Sequence, residues 1–455
     1  VAEHRVLTGW GLTAGSGADV VTVGSPETAI RAVRDAGARG LVARGLGRSY
    51  GDAAQNAGGT VLDLTALDQV HLVDTDKGIV DVDAGVSLDH LMKLLLPLGW
   101  FVPVTPGTRY VTVGGAIASD IHGKNHHVEG TFSRHVQALQ LLTGDGEVRT
   151  CSPTEHPEVF WATAGGMGLT GVILRVRLQV LRVHTSLVQV DTERVPNIDD
   201  LMARMVEGDD AYRYSVAWID TMATGASTGR AVLTRGDHAT FEQLSAKQQR
   251  KPLSYKADPK LAAPPFVPGG LLNRATVMAF NELWYRKAPV RHTGLESIPT
   301  FFHPLDGVLG WNRIYGPGGF IQYQYAVPDG AHGEGAELVR ESLRRLSAAH
   351  CPSFLAVLKR FGPANPGPLS FPLPGWTLAL DVAARHPGLG ALCDELDELV
   401  VEAGGRVYLS KDSRLRPDVL TAMYPRLDEW RETRAKLDPS GVFVSDLSRR
   451  LGLHG

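Results

Sequence analysis

The chain is poor in cysteine: three among 455 residues, Cys151, Cys351 and Cys393, far apart and with no CxxC pair. That excludes a disulfide framework and leaves no ligand set for a structural zinc site, so all three are expected to be small buried hydrophobes. Neither sign of charge is in excess. With 46 Lys+Arg against 49 Asp+Glu the formal charge is −3, and the basic footprint of a dedicated nucleic-acid binder is missing. No stretch approaches the ~18 consecutive apolar residues that cross a bilayer. The opening VAEHRVLTGWGLTAGSG lacks the basic and apolar regions of a signal peptide. The expectation is a protein that is cytoplasmic or peripheral to the cell membrane, with work in the cell envelope left open. Plentiful instead are glycine and proline, 51 and 27 residues, in a chain 43% hydrophobic and 21% charged. It can bury a large core, and its length predicts two or three domains.

Over residues 1–185 strand and helix signals alternate at short intervals with Gly-rich turns between them, which predicts an α/β or α+β domain. Ser25-Pro26-Glu27 opens a helix with Ala29, Ile30, Ala32 and Val33 on its apolar face, ending near Gly37. Short strands are expected at 40–43, 61–64 and 79–84. Ser87 caps a helix whose Leu88, Leu91, Met92 and Leu95 share one face until Pro97 and Gly99 stop it. From Leu174 to Val180 apolar residues alternate with Arg175, Arg177 and Gln179, a strand with one wet face. The texture changes over 186–405, where 214–219 and 320–327 read as strands and 334–349 as a helix, predicting a second domain. Within it, 250–272 carries five prolines and several lysines without periodicity, a long loop that is either disordered or a lid. Residues 406–455 return to strand and helix and are too few to fold alone, so they must pack on an earlier domain.

Three Gly-rich stretches dominate the first domain: ArgGlyLeuGlyArgSerTyrGlyAsp (44–52), the run from Pro106 to His127, and Gly165 to Gly171. Glycine lets a backbone approach a ligand closely, and consecutive N–H groups in such loops form nests for phosphate. Gly166, Gly168 and Gly171 fit GxGxxG, but an alternating strand follows rather than a helix that could face a pyrophosphate. The Rossmann reading is therefore rejected. His122, His126 and His127 do not predict a metal site: adjacent histidines on extended chain point apart, and no carboxylate or cysteine lies at ligand spacing. Gln322 and Gln324, alternating with Tyr323 and Tyr325, share one strand face.

The three loops in this order resemble the vanillyl-alcohol-oxidase/PCMH-type FAD-binding superfamily, which implies a two-domain α+β fold: two α/β subdomains holding extended FAD, and an α+β substrate cap. The implied division is 1–185 for FAD, 186–405 for the cap, and 406–455 returning to the FAD domain. Further stretches narrow the resemblance: AspIleHisGlyLysAsnHisHis (120–127), GluLeuTrpTyrArgLys (282–287), PheIleGlnTyrGlnTyr (320–325), SerPheProLeuProGlyTrp (370–376), TyrLeuSerLysAspSerArg (408–414) and MetTyrProArg (423–426). Almost end to end the chain resembles the actinobacterial decaprenylphosphoryl-ribose 2-oxidase family. Those flavoenzymes make the 2-keto intermediate on the route to decaprenylphosphoryl arabinose for cell-wall arabinan.

The resemblance implies FAD held by Arg44, Gly45, Leu46, Gly47, Arg48, Ser49, Tyr50 and Gly51, by Pro106, Gly107, Thr108, Thr112, Gly114, Gly115, Ala116, Ser119, Asp120, His122 and Gly123, by Gly168, Leu169, Thr170, Gly171 and Val172, and by Tyr408. Many relatives link the flavin to a histidine where this chain has Arg48, so non-covalent FAD is implied. The implied catalytic residues are Lys411, His122, Tyr50 and Gln324. Lys124, Gln324, Lys359 and Thr377 would bind substrate, Lys359 holding its phosphate, with Trp10, Trp218 and Phe361 as apolar walls. Thr377 and Ala379 replace an Asn and a Cys of mycobacterial members. A polyprenylphosphoryl ribose substrate, a partner NAD-dependent keto-reductase and peripheral membrane contact are implied. The alternative within the same fold is an alditol or aldonolactone oxidase. A non-catalytic docking subunit would need no such constellation as His122, Gln324 and Lys411.

Overall fold

The computed structural model describes residues 2–453. A four-stranded sheet, in the order Glu3–Thr8, Gly15–Thr22, Thr60–Asp63, Leu41–Arg44, has its last three strands parallel. The helix Pro26–Arg34 buries Ala29 and Val33, which belong to one apolar cluster with Leu41 and Leu62 of this sheet. Ser25 occupies its N-cap without a side-chain bond to the helix backbone, its Oγ pairing with Thr28 Oγ1 instead. A five-stranded antiparallel sheet follows, ordered Val70–Asp74, Ile79–Asp83, Val172–Gln179, Val136–Leu142, Val148–Cys151. Against its core lies the helix Leu88–Leu95, capped by Ser87 as expected. Both sheets leave their Gly-rich turns facing one side, toward the third sheet.

That third sheet has eight strands, ordered Arg291–Ser297, Leu187–Val195, Ala231–His238, Tyr214–Ile219, Ala356–Phe361, Gly375–Ala383, Phe320–Pro328, Arg406–Val407. Period-2 alternation gives it two different faces. Ala217, Ile219, Leu233, Leu358, Leu378, Leu380, Tyr323 and Tyr325 form one core with the helices Ile198–Gly208, Glu334–Ala348 and Leu389–Glu402. The intervening residues, among them Trp218, Val357, Lys359, Ala379, Gln322 and Gln324, face a cavity on the opposite side. Only the helix at 334–348 is visible as a clean periodic signal in the sequence.

Two expectations need correction. Residues 250–272 are not free of structure: Leu261–Ala262 pairs in parallel with Val308–Leu309, and Pro252 and Ser254 carbonyls accept from Ser186. The buried Arg109 guanidinium also donates to the Ala257 carbonyl, latching the segment to the first domain. His126 and His127 are not on extended chain but open a helical turn, His126–Glu129. His126 Nδ1 accepts from Gly362 N–H, and His127 Nε2 donates to the Tyr212 carbonyl. Both rings are occupied in packing loops together. The three cysteines are free and buried.

Candidate active site

The cavity, about 460 Å³, lies between the Gly-rich loops and the bare face of the eight-stranded sheet. Its first wall is backbone. Gly45 packs so tightly that a Cβ there would meet Thr112 Oγ1 at 2.3 Å, whereas Gly168, at φ +75°, has nothing within 4 Å of its Cβ position. The first loop is pinned from behind, Trp10 N–H and Gly11 N–H donating to the Ser49 and Tyr50 carbonyls. Arg48 lays its guanidinium 4.0 Å from the centre of the Trp10 ring.

The second wall is side chains. Tyr408 N–H donates to the Gln324 carbonyl and Tyr50 N–H to the Ser410 carbonyl, so the segment after the edge strand Arg406–Val407 is stitched between the cap sheet and the first Gly-rich loop. This places Lys411 Nζ 3.8 Å from the centre of the Tyr50 ring. Gln322 Nε2 donates to Tyr50 Oη at 3.3 Å and also to Asp381, its register partner across the sheet. Gln324 Nε2 donates to His122 Nε2 at 3.0 Å and to Thr377 Oγ1 at 3.2 Å. The imidazole proton therefore sits on Nδ1, a buried nitrogen without a partner among the described residues.

A model of the FAD binding domain matches residues 18–152, and one of D-arabinono-1,4-lactone oxidase matches 383–451. The chain is 47% identical over 452 residues to the decaprenylphosphoryl-β-D-ribose oxidase of Mycolicibacterium smegmatis, covering 98% of this chain and 97% of that protein. It belongs to the decaprenylphosphoryl-β-D-ribose oxidase family. An uncharacterized Streptomyces coelicolor protein is 46% identical over 378 residues, 81% of this chain and all of that one. Among solved structures, a Physcomitrella patens BBE-like protein superposes with a TM-score of 0.65 at 15% identity, over 94% of this chain and 90% of that chain, which establishes the shared two-domain α+β fold. As a member of this family the chain is an FAD-dependent oxidoreductase.

The residues present fit that cofactor. Gly107 and Gly168 border open cavity with no atom within 4 Å of their Cβ positions, room that a close-lying ligand would use. Arg44, Gly45, Leu46, Gly47, Arg48, Ser49, Tyr50, Pro106, Gly107, Thr108, Thr112, Gly114, Gly115, Ser119, His122, Gly123, Gly168, Gly171 and Tyr408 all line it, with Lys124, Gln324, Lys359 and Lys411. Seven residues expected at the site do not. Gly51 backs onto the Asp412 carbonyl; Ala116, Leu169 and Val172 are core; Thr170 bonds Thr163. Asp120 is fully buried, accepting from Ser370, Asn365 and Ser133 N–H, and so ties a cap loop to the FAD domain. Thr377, also fully buried, donates to the Tyr325 carbonyl and props Gln324 from behind. Phe361 is not a cavity wall either: its ring packs on His122 and His126 at 4.8 and 4.4 Å. Trp10 and Trp218 do face the cavity.

Burial sets the electrostatics of the second wall. It lowers Lys359 to about 8, and together with Lys359 it lowers Lys124 to about 7. Burial also pulls the Lys411 ammonium well down and pushes the Asp381 carboxyl well up, each charge partly restoring the other. His122 is kept neutral by burial and by the cations of Lys359 and Lys411. Lys359 has no carboxylate partner and no hydrogen bond among the described residues. Asp381 is the residue that sequence reasoning missed. Its only signal is the alternating strand 375–383, and its pairing with Gln322 is a register that local pattern does not reveal.

Proposed function

We propose that the chain oxidises the 2-hydroxyl of decaprenylphosphoryl-β-D-ribose, or a close polyprenyl analogue, to the 2-keto compound. A partner NAD-dependent keto-reductase would then complete epimerisation to the arabinose form. The carrying observation is the Lys359 ammonium, unpaired among the described residues, on a cavity face that also presents Val216, Trp218, Val232 and Leu355. An unpaired cation beside apolar side chains suits a phosphodiester joined to a hydrocarbon tail. Bound FAD supplies the hydride acceptor. Neutral Lys411 Nζ takes the hydroxyl proton, Tyr50 donates to a sugar oxygen, and neutral His122, its tautomer fixed by Gln324, packs beside them. Binding energy at the remote phosphate holds the C2–H in its reacting orientation.

FAD is held without a covalent bond, because Arg48, stacked on Trp10, offers no nucleophile at the position where relatives carry histidine. Acid precipitation should release all the flavin into the supernatant, and colour left in the pellet would contradict this. The match of 383–451 to the D-arabinono-1,4-lactone oxidase model favours a second reading, oxidation of a free aldonolactone or alditol. Anaerobic stopped-flow reduction separates the two. The lipid-linked ribose should bleach the flavin orders of magnitude faster than ribose, xylitol or an aldonolactone, and equal rates would install the second reading.

A further inference from the structure

Residues 247–291 hold nine Lys/Arg and two Asp/Glu. This tract is net +7 in a chain whose total is −3, so the remainder carries −10. All nine cations are exposed. Of the two acids, Glu282 is spent on Arg230 and Arg286. Lys247, Arg250, Lys251, Lys256, Lys260, Arg274 and Lys287 have no carboxylate within reach among the described residues.

The same tract concentrates exposed apolar surface. Leu261, Phe266, Leu271, Met278, Phe280, Leu283, Trp284 and Val290 are between 39% and 71% exposed. The helix Arg274–Lys287 buries only Val277 and Asn281. It is fastened by polar contacts, Asn281 to Asp220 at 2.7 Å and Glu282 to Arg230 at 2.6 Å, so much of its apolar surface stays open: Leu283 points outward, and Phe280 and Trp284, at helical spacing from it, are part-exposed, Phe280 resting edge-on against Phe354. An ordinary amphipathic helix does the reverse. The tract also borders the cavity: Trp284 lines it, and Leu272 packs with Trp10 and Trp311, which line it too.

Resting on the lipid-linked substrate proposed above, we infer that this face, the helix 274–287 with the segment 256–272, docks on an anionic bilayer surface and opens the cavity to the lipid phase. Exposed apolar side chains and unpaired cations in one tract match the boundary between acidic headgroups and acyl chains. A second copy of the chain would set +7 against +7. Docking would place the rim of the cavity at the depth where a prenyl phosphate lies, so the tail need never cross water.

The test uses the holoenzyme and vesicle flotation, with phosphatidylcholine alone and with phosphatidylcholine containing phosphatidylglycerol. Binding should require the anionic lipid and weaken with salt. A triple variant, Lys260→Glu, Arg274→Glu and Lys287→Glu, should lose binding by about a hundredfold, and Phe266→Asp with Leu283→Asp by a similar factor. Every one of these side chains is exposed and none lines the cavity, so reduction of bound FAD by detergent-dispersed substrate should stay at the parent rate. Equal flotation of parent and variants, or none with anionic vesicles, overturns the inference. So does a parent dimer that the variants abolish, or binding that only an acidic protein supports. Failure of the lipid-linked ribose to reduce FAD would instead sink the substrate reading and leave the flotation result standing.

Discussion

The two walls of the cavity are built on opposite principles. The FAD-domain wall is backbone, where glycines set how closely a ligand can approach and which N–H groups it meets. The cap wall is side chains, where Lys359, Lys411, Gln322 and Gln324, with Asp381 buried behind Gln322, take their properties from burial and from strand register. A backbone wall is written in short local runs of sequence. A side-chain wall is assembled from strands far apart in the chain, and its chemistry exists only once they pair.

The walls should therefore fail differently. The largest effect belongs to the backbone: Gly45→Val drives atoms into Thr112, 2.3 Å from the Cβ position, so the purified protein should be colourless, with flavin absorbance per chain near zero. On the cap wall, Lys411→Met should stay yellow and fold normally while flavin reduction by substrate slows by about 10²–10³-fold. An unchanged reduction rate would put Lys411 outside the chemistry.

Lys359→Met should raise KM for the lipid substrate by about tenfold to a hundredfold and leave the slow reaction with free sugar alone. The parent should show the same loss reversibly, because Lys359, lowered to about 8, is charged below that pH and neutral above it. Stability moves the other way. An unfolded lysine keeps its proton to about pH 10.4, so between about 8 and that value the unfolded chain binds more protons and stability rises with pH. Thermal melts at pH 7 and 9.5 should show less of that rise in Lys359→Met than in the parent, Lys124 and Lys411 supplying the remainder. A Lys359→Met variant whose melting point changes between pH 7 and 9.5 as the parent's does would mean that Lys359 does not titrate in the folded chain over that range.

The smallest effect is expected at Asp381→Asn. Asparagine keeps an acceptor for Gln322 but removes the negative charge that sustains the Lys411 ammonium. The acid limb of the flavin-reduction profile should shift to lower pH by up to about one unit, with little change in the maximum. A profile that does not move would show that the two groups titrate independently.

How much of this was legible follows the same division. The first loop, the second loop and Gly168 could be read as a ligand cradle because close approach and positive φ demand glycine locally. Elements with a single wet face, such as 172–179 and the helix 334–348, were equally plain. Asp381 was invisible, since an aspartate in an apolar strand signals nothing until its cross-strand partner is known. Thr377 and Asp120 were expected at the ligand and lie one layer behind the cavity lining. A sequence resemblance marks a neighbourhood, and only packing separates a group that touches the ligand from one that holds its neighbour. The helix 274–287 was missed for another reason: its apolar residues do not mark a buried face.

The stitching of the C-terminal segment has a consequence in time. Leu41 N–H donates to the Val442 carbonyl and Val444 N–H to the Leu41 carbonyl, while Arg450 grips Asp52 from 398 positions away. Synthesis runs from the N-terminus at ~5–20 residues per second, so the first Gly-rich loop is exposed for tens of seconds before the residues that brace it emerge. During that interval the nascent first domain has an unsupported edge and an unfinished ligand cradle. Cofactor capture must wait until residues 442–450 have been made, and flavin shortage in the cell should show itself in chains that have passed that point and are then degraded.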